Sequence, residues 1–300
     1  MPSYNGKQYI SQAIRSLLDQ TYQNYELIIS DDNSTDDTSK ICRLWAKKDK
    51  RLRFFTQKKR LGVAQNFNFV LKKARGKYFV WAGQDDLWDK HFIATLLQLL
   101  KDYPNATTAV SNYENLFEGK TYIVKKHDFD NVSLASFRAI LHFLKTNNLS
   151  YFYGLHRTSV LKKIGGYHQD SRPFFHSSDH LTILKILFQG NVVFSKKVLF
   201  FKRDTGTYTK RFSYLEELLF TQKVRRSILR YLSFPLSFLY DLFYSLSYTA
   251  RSRFTLVEKL ILICSLLIFF LKRNLDFMMS ILLGIWHVLK GVFRYSYHVQ

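Results

Sequence analysis

Lys77-Tyr78-Phe79-Val80-Trp81-Ala82-Gly83-Gln84-Asp85-Asp86-Leu87-Trp88 is the stretch that decides the fold. Tyr78 to Ala82 is an uninterrupted apolar and aromatic run, which reads as a buried strand. Gly83 breaks it, and two adjacent carboxylates, Asp85 and Asp86, follow. In open α/β sheets, ligands bind outside the carboxyl ends of the strands. Two neighbouring Asp side chains repel each other there, and a cation beside them relieves the repulsion. Mg²⁺ or Mn²⁺ suits the position, because a hard divalent ion takes one or two carboxylates plus substrate phosphate oxygens. The pair therefore reads either as a metal-bound phosphate site or as a solvated turn or helix cap ahead of Leu87.

Upstream, Gln8 to Gln20 reads as a helix, with Ile10, Ala13, Ile14, Leu17 and Leu18 on one face. Tyr25 to Ser30 reads as a strand that ends in the polar cluster Asp31-Asp32-Asn33-Ser34-Thr35-Asp36, at once loop and helix cap. A helix over 37–48, a strand over 51–56 and a helix over 64–75 follow, the last opened by Gly62 and closed by Gly76 as a C-cap. Strands and helices alternate with short links, which predicts a parallel sheet. Downstream, helices are expected over 91–103, 133–145, 159–164 and 181–189. Strands are expected over 107–112, 121–124, 151–155 and 192–201.

The chain has 300 residues, a formal net charge of +22 and 17% aromatic residues. So large a positive excess needs a negative partner: nucleic acid, an anionic membrane surface or a phosphorylated substrate. Basic residues are spread along the chain without a recognised nucleic-acid motif, so nucleic acid is set aside. Cys42 and Cys264 are too few and too far apart for a disulfide framework or a zinc site. Met1 to Gly6 is turn-like and polar with no signal-peptide pattern, which implies a cytoplasmic chain whose Asn-x-Ser/Thr sequons carry no glycan.

These motifs together resemble inverting family 2 glycosyltransferases. The resemblance is carried by Tyr4-Asn5-Gly6, Gln20-Thr21-Tyr22, Glu26 to Asp36, Leu61-Gly62-Val63-Ala64, Ala74-Arg75-Gly76-Lys77-Tyr78 and Gln84-Asp85-Asp86, over about residues 2–205. Each motif alone is weak; their order and spacing together are specific. The resemblance implies a GT-A fold, α/β with a Rossmann-like sheet that binds a nucleotide-sugar. By position, Asp32 matches the aspartate at the nucleoside base, with Tyr4 on the neighbouring loop. Asp85 and Asp86 match the DXD-type element, Asp86 nearest the metal and Asp85 toward the ribose or sugar. Asp179 matches the general base that takes the proton from the acceptor hydroxyl. Asn66 stands in the segment Ala64-Gln65-Asn66, where many members carry an arginine near the donor phosphates, and is the donor-side candidate there. Arg60 or Lys59 is a possible substitute for that arginine.

Two further departures bear on function. The family begins with a hydrophobic strand just before the Pro2-Ser3-Tyr4-Asn5 segment, whereas this sequence starts at Met1 of that segment. Ser178 precedes Asp179 where a Glu is frequent, but one carboxylate suffices for a base. His176 and His180 flank Asp179, either as proton or metal contacts or as satisfied loop histidines. Arg203 either faces phosphate or is a solvated edge charge.

Residues 1–210 form the expected transferase domain, and residues 211–300 a separate helical tail. The tail carries twelve Lys or Arg against five Asp or Glu, with apolar runs over 228–248, 260–271 and 277–293. The uncharged run from Leu260 to Leu271 falls short of the ~20 residues a spanning helix needs. Asp241, Pro235, His287 and Lys290 interrupt the others, while Arg225, Arg226, Arg230, Arg251, Arg253, Lys272 and Arg273 suit anionic headgroups. Helices lying in the membrane interface are expected, against an ordinary helical subdomain, a dimer surface or two tightly joined spans around Lys272-Arg273. The combined expectation is a peripheral, metal-dependent hexosyltransferase on the inner face of the cell membrane. It would move sugar from a nucleotide-sugar to a lipid-linked or polysaccharide acceptor. The alternative is a non-catalytic, degenerate transferase-like binding protein. The late start favours it, and Asp32, Asp85, Asp86 and Asp179 argue against it.

Overall fold

The structure is a computed structural model that describes residues 1–117, 120–123, 129–169, 178–203 and 234–272. The chain forms two compact units, Met1–Asp204 and Thr205–Gln300.

The first unit opens with β1 (Pro2–Ser3), α1 (Ile10–Leu18), β2 (Leu27–Asp31), α2 (Thr38–Lys48), β3 (Leu52–Thr56) and α3 (Val63–Lys73). There follow β4 (Tyr78–Phe79), β5 (Leu87–Trp88), α4 (Phe92–Asp102), β6 (Ala106–Phe117), β7 (Lys120–Ile123) and β8 (Val132–Leu134). It closes with α5 (Ser136–Thr146), β9 (Leu155–Arg157), α6 (Thr158–Lys163), α7 (Ser178–Leu187) and β10 (Asn191–Arg203).

The first part has the expected parallel order. β1, β2 and β3 form a three-stranded parallel sheet, with Ser3 opposite Asp31 and Ile28 opposite Arg53. All five residues of β2 are buried, as a parallel strand covered on both faces requires. The apolar stripe of α1 is buried as its spacing predicts. β1 ties the chain ahead of Tyr4 to β2. The Met1 ammonium donates to the Ile28 carbonyl at 2.7 Å, and burial pushes its pKa down to about 5.

The second sheet is mixed, not parallel throughout. Its order is β4-β9-β6-β10-β5, with β7 on β6 and β8 on β10; only β6 and β10 run parallel. Other boundaries also move. The run 78–82 keeps only Tyr78 and Phe79 in a ladder, opposite Arg157 and His156. Trp81 is buried by ring packing instead, its indole parallel to Phe152 at 5.0 Å. Gly76 does not cap α3: the helix stops at Lys73, Ala74 turns extended, and the Gly76 carbonyl accepts from Thr158 Oγ1 at 2.7 Å. Residues 149–151 form a 3₁₀ turn capped by Asn148, so the expected strand over 151–155 shrinks to β9. The start of the expected helix over 133–145 is strand β8, and α5 begins only after Ala135.

In the second unit, α8 (Phe234–Arg251) and a helix over residues 256–272 are described. Thr255 opens the latter with a capping box. Its amide donates to Glu258 Oε2 at 2.9 Å, and its hydroxyl accepts from the Glu258 amide at 3.3 Å. One face of this helix, with Leu262, Leu266 and Phe270, is buried; Leu256, Leu260, Ile268 and Leu271 on another are exposed. Among the described residues no helix is long and apolar enough to cross a membrane. Arg225, Arg226, Arg230, Arg273 and the run 277–293 lie outside the described residues.

Trp81→Ala is expected to cost about 3–5 kcal/mol, the usual range for a buried Trp or Phe cut to Ala. Urea unfolding at unchanged slope measures it; a loss below about 1 kcal/mol would show that ring packing does not hold this segment.

Candidate functional site

Between β4 and β5 the chain leaves the sheet for seven residues, and the acid pair sits at the end of that excursion. Asp86 is 2% exposed, and its Oδ1 accepts the backbone N–H of Arg203 at 2.9 Å. Arg203 is the last residue of β10, placed there by the antiparallel pairing of Phe200 with Trp88 and Phe201 with Leu87. Its side chain is tied to neighbouring groups rather than being a solvated edge charge. Nε donates to the Asp85 carbonyl at 2.8 Å, Nη2 to Gln12 Oε1 at 2.8 Å, and the guanidinium lies 4.4 Å from the Tyr9 ring centre.

Burial, and then the charge of Asp85, push the Asp86 carboxyl up to about 7 against the pull of Lys202 and Arg203. Burial also raises Asp85. Gly83 leaves the room these groups occupy: a Cβ there would collide with Asp86 Oδ2 and press on Asp85 Oδ1. The pair fits a hard divalent cation. Burial of Asp86 and the charge of Asp85 outweigh the pull of Lys202 and Arg203, so further positive charge would be favoured there. Among the described residues no three His, Cys, Asp or Glu gather as a cage.

The second cluster joins the ends of β1 and β2. Asn5 and Asn33 take left-handed backbone, at φ 47° and 61°. The Asn5 amide donates to Ser34 Oγ at 2.9 Å, and Asn5 Oδ1 accepts from the Thr35 amide at 2.9 Å. Asp32 is buried with both oxygens engaged, Oδ1 by the Leu61 amide at 2.6 Å and Oδ2 by the Gly62 amide at 2.9 Å. It therefore sets the turn that starts α3, where Gly62 has φ 86°. Asn66 is buried under the same turn: Nδ2 donates to the Ser30 carbonyl at 2.9 Å, while Oδ1 has no protein partner. Arg60 lies over the Tyr4 ring, 3.7 Å from its centre.

The third cluster surrounds Asp179, in the first turn of α7. Tyr167 OH donates to Asp179 Oδ1 at 2.6 Å. Burial raises the Tyr167 phenol, and the Asp179 charge and hydrogen bond add to this. The Tyr167 ring stacks on Phe67 at 4.8 Å. Its main chain is held by Asn68 of α3, whose Nδ2 donates to the Tyr167 carbonyl at 2.9 Å and whose Oδ1 accepts the Tyr167 amide at 2.8 Å. Tyr153 stacks on Phe200 at 4.6 Å. Its phenol is raised by burial and then by the charges of Asp86, Asp179 and Asp85, so it lies within electrostatic reach of all three.

His180 does not join Asp179. Its Nε2 meets Asn147 Oδ1 at 2.7 Å, where Asn147 ends α5 in left-handed backbone. His176 lies outside the described residues. Sequence reasoning placed Gln84 in the acid-pair motif without a role, and missed Asn68, Tyr153 and Tyr167. Gly165-Gly166 was a signal for the turn that presents Tyr167, at φ 78° and 76°; nothing in the spacing points to Tyr153.

The family model described as Glycosyl transferase family 2 matches residues 1–176, and the chain belongs to that family. Glycosyltransferase GlyG of Streptococcus pneumoniae is 35% identical over 118 residues, 39% of this chain. The chain spans 39% of GlyG's length. The crystal structure of S. aureus TarS 1–349 in complex with UDP-GlcNAc matches with TM-score 0.68 at 17% identity, over 89% of this chain and 70% of that one. The mannosyltransferase PcManGT from Pyrobaculum calidifontis, in complex with GDP-Man and Mn²⁺, matches with TM-score 0.53 at 18% identity, over 98% and 86%. The first unit thus has the GT-A-like α/β glycosyltransferase fold.

A raised carboxyl binds a proton in the folded state that the unfolded chain has lost. Asp86 therefore stabilises the metal-free fold fully below its ordinary pKa of 3.8, and that contribution is lost as pH rises through about 7. Asp86→Asn keeps an acceptor for the Arg203 amide and removes the charge. At about pH 8 without divalent ions it is expected to melt higher than the parent, by about 2–4 °C per kcal/mol recovered. The gain should shrink as the pH is lowered through about 6 toward 4, where the parent's own Asp86 is protonated. Equal melting temperatures across that range would refute the raised carboxyl.

Proposed function

We propose that this family 2 chain moves a hexosyl group from a nucleoside-diphosphate sugar to a hydroxyl of a lipid-linked or polysaccharide acceptor, with inversion. The observation that carries the reading is the buried acid pair: Asp86, pushed up to about 7, beside Asp85 at the edge of a GT-A-like sheet. A divalent cation would offset the repulsion that Lys202 and Arg203 leave uncompensated, and a nucleotide-sugar brings a diphosphate that needs one. The ligands of the similar structures, UDP-GlcNAc in TarS and GDP-Man with Mn²⁺ in PcManGT, support that donor class.

On this reading Asp86 and Asp85 hold Mg²⁺ or Mn²⁺, which supplies charge neutralisation for the departing diphosphate. Asp85 also faces the ribose or sugar. Tyr4 and Asp32 receive the nucleoside, Asp32 chiefly by fixing the Leu61–Gly62 turn, and Asn66 presents its unpartnered Oδ1 below that turn. Asp179 accepts the proton of the acceptor hydroxyl as it attacks the face opposite the leaving group. Tyr167 donates to Asp179 Oδ1 and so helps to orient the carboxylate for that task.

The test is turnover of UDP- and GDP-sugars by the full chain, with and without Mn²⁺. Asp179→Asn should slow transfer by about 10²–10⁴-fold with donor binding nearly unchanged. Lost donor affinity at an unchanged rate would move Asp179 into the donor pocket, and sugar release independent of both Mn²⁺ and Asp86 would remove the metal from the mechanism.

The second unit completes the proposal as a cytoplasmic anchor on the inner face of the membrane. Leu256, Leu260, Ile268 and Leu271 are exposed on a helix with Arg251, Arg253 and Lys272 exposed at its ends. An apolar face between cations suits the boundary of an anionic bilayer, where each basic residue adds roughly 1 kcal/mol. Leu260→Glu with Ile268→Glu should abolish sedimentation with vesicles containing phosphatidylglycerol and leave turnover of soluble donor intact. Unchanged sedimentation would make this face a packing or oligomer surface.

A further inference from the structure

Gln84 stands immediately before the acid pair, yet its side chain serves another loop. Its Oε1 accepts the Tyr4 N–H at 2.9 Å, and its Nε2 donates to the Tyr4 carbonyl at 3.0 Å. The amide pairs with that main chain as a neighbouring strand would. Gly6 completes the seat, because a Cβ there would collide with Gln84 Oε1 and Cδ. Neither end of the tie is loose. The Tyr4 loop is locked to the β2 loop through Asn5, Ser34 and Thr35, and Gly6 donates to Thr38 Oγ1 at 2.8 Å. On the other side, one peptide leads from Gln84 to Asp85, whose carbonyl holds Arg203 Nε at 2.8 Å.

We propose that Gln84 is a positioning residue that couples nucleoside binding at the Tyr4 loop to divalent-cation binding at Asp85 and Asp86. The inference rests on the nucleotide and metal reading given above. Its physical basis is geometric. Two parallel hydrogen bonds to one residue fix the amide in plane and along the chain. A shift of the Tyr4 backbone therefore carries the amide with it. The Cα of Asp85 is a single ~3.8 Å step further on, within a loop that Gly83 and Arg203 also restrain. Arrangements of the segment that keep these bonds satisfy both loops together, so a ligand that favours them at one loop favours them at the other. Such coupling is reciprocal, and its usual size is about 5–150-fold in affinity.

A diphosphate would touch both places at once and hide this effect, so the probe must have no phosphate. Uridine, and in parallel guanosine, is titrated into the full chain while bound Mn²⁺ is followed through the electron paramagnetic resonance signal of the free ion. In the intact protein, nucleoside should tighten Mn²⁺ binding about fivefold or more, and Mn²⁺ should tighten nucleoside binding by the same factor. Gln84→Met, similar in length and without the amide, should bring that factor close to one while each ligand alone still binds. Gly6→Ala, which pushes Gln84 off Tyr4 without touching the acid pair, should do the same.

A coupling factor unchanged in both variants overturns the inference, as does independent binding of nucleoside and Mn²⁺ in the intact protein. Those results leave the nucleotide and metal reading standing. By contrast, intact protein that binds Mn²⁺ but neither nucleoside, or neither probe at all, overturns that reading and this inference with it.

Discussion

Asp86 keeps a carboxyl where burial and the neighbouring charge of Asp85 both oppose its ionisation, and the surrounding chain is arranged around that difficulty. A buried charge without compensation costs several kcal/mol, and proteins meet the cost with hydrogen bonds, opposite charge or protonation. All three are present here. The Arg203 amide supplies the hydrogen bond, Lys202 and Arg203 supply positive charge, and the raised carboxyl takes up a proton below about pH 7. The amide is in place only because β5 meets β10 with Trp88 opposite Phe200 and Leu87 opposite Phe201. A slip of one residue would remove the Arg203 N–H and turn the alternating side chains to the wrong face. The two-residue strand β5 therefore matters more for the electrostatics of the loop than for the size of the sheet.

The departure from the sheet after Phe79 has a second consequence. Backbone groups outside ladders need partners, and here side-chain amides take the part of missing strands. Gln84 pairs with both polar groups of Tyr4, and Asn68 does so with Tyr167. Gln20 is a third case: it donates to the Asp89 carbonyl and accepts from the Ile93 amide, which joins α1 to the start of α4. Each amide bridges segments far apart in sequence. The loops at the sheet edge are thus fixed in position without the flat continuity of a strand, which leaves their other faces available.

The sequence disclosed what periodicity and local chemistry control. The stripe Ile10, Ala13, Ile14, Leu17, Leu18 and the buried run from Leu27 were legible because each sets a face or a covered strand by itself. The acid pair was legible as a candidate because two carboxylates follow an apolar run, which read equally as a phosphate site or as a solvated turn. Pairing partners were not, since nothing in Leu87-Trp88 says that it lies antiparallel to residues beyond 199. The aromatic run 78–82 misled for a related reason. Strand and ring-packed loop share the same composition, and only contact with Phe152 and Phe67 tells them apart. Gly76 looked like a helix cap, yet an extended Ala74 ended the helix first, and Gly76 serves Thr158 instead. Arg203 and Asp32 were found by position, but the partners that give them meaning lie elsewhere in the chain.

The carboxylates of the first unit divide by the donors that reach them. Asp32 has both oxygens filled by main-chain amides and is committed to holding a turn. Asp179 accepts from a phenol whose own pKa is raised, so Tyr167 stays a donor through neutral pH. Asp86 has a single amide on Oδ1, while its Oδ2 faces the space that Gly83 leaves. Groups of one chemical type are in this way set for different tasks by their surroundings. Tyr153 feels the charge of Asp86, Asp179 and Asp85 together, so its neutral phenol belongs to the boundary between them. Any cation that settled on the acid pair would weaken the push on Tyr153 from one side and leave that of Asp179 unaltered. The charges of both clusters thus act on one phenol that no motif marks.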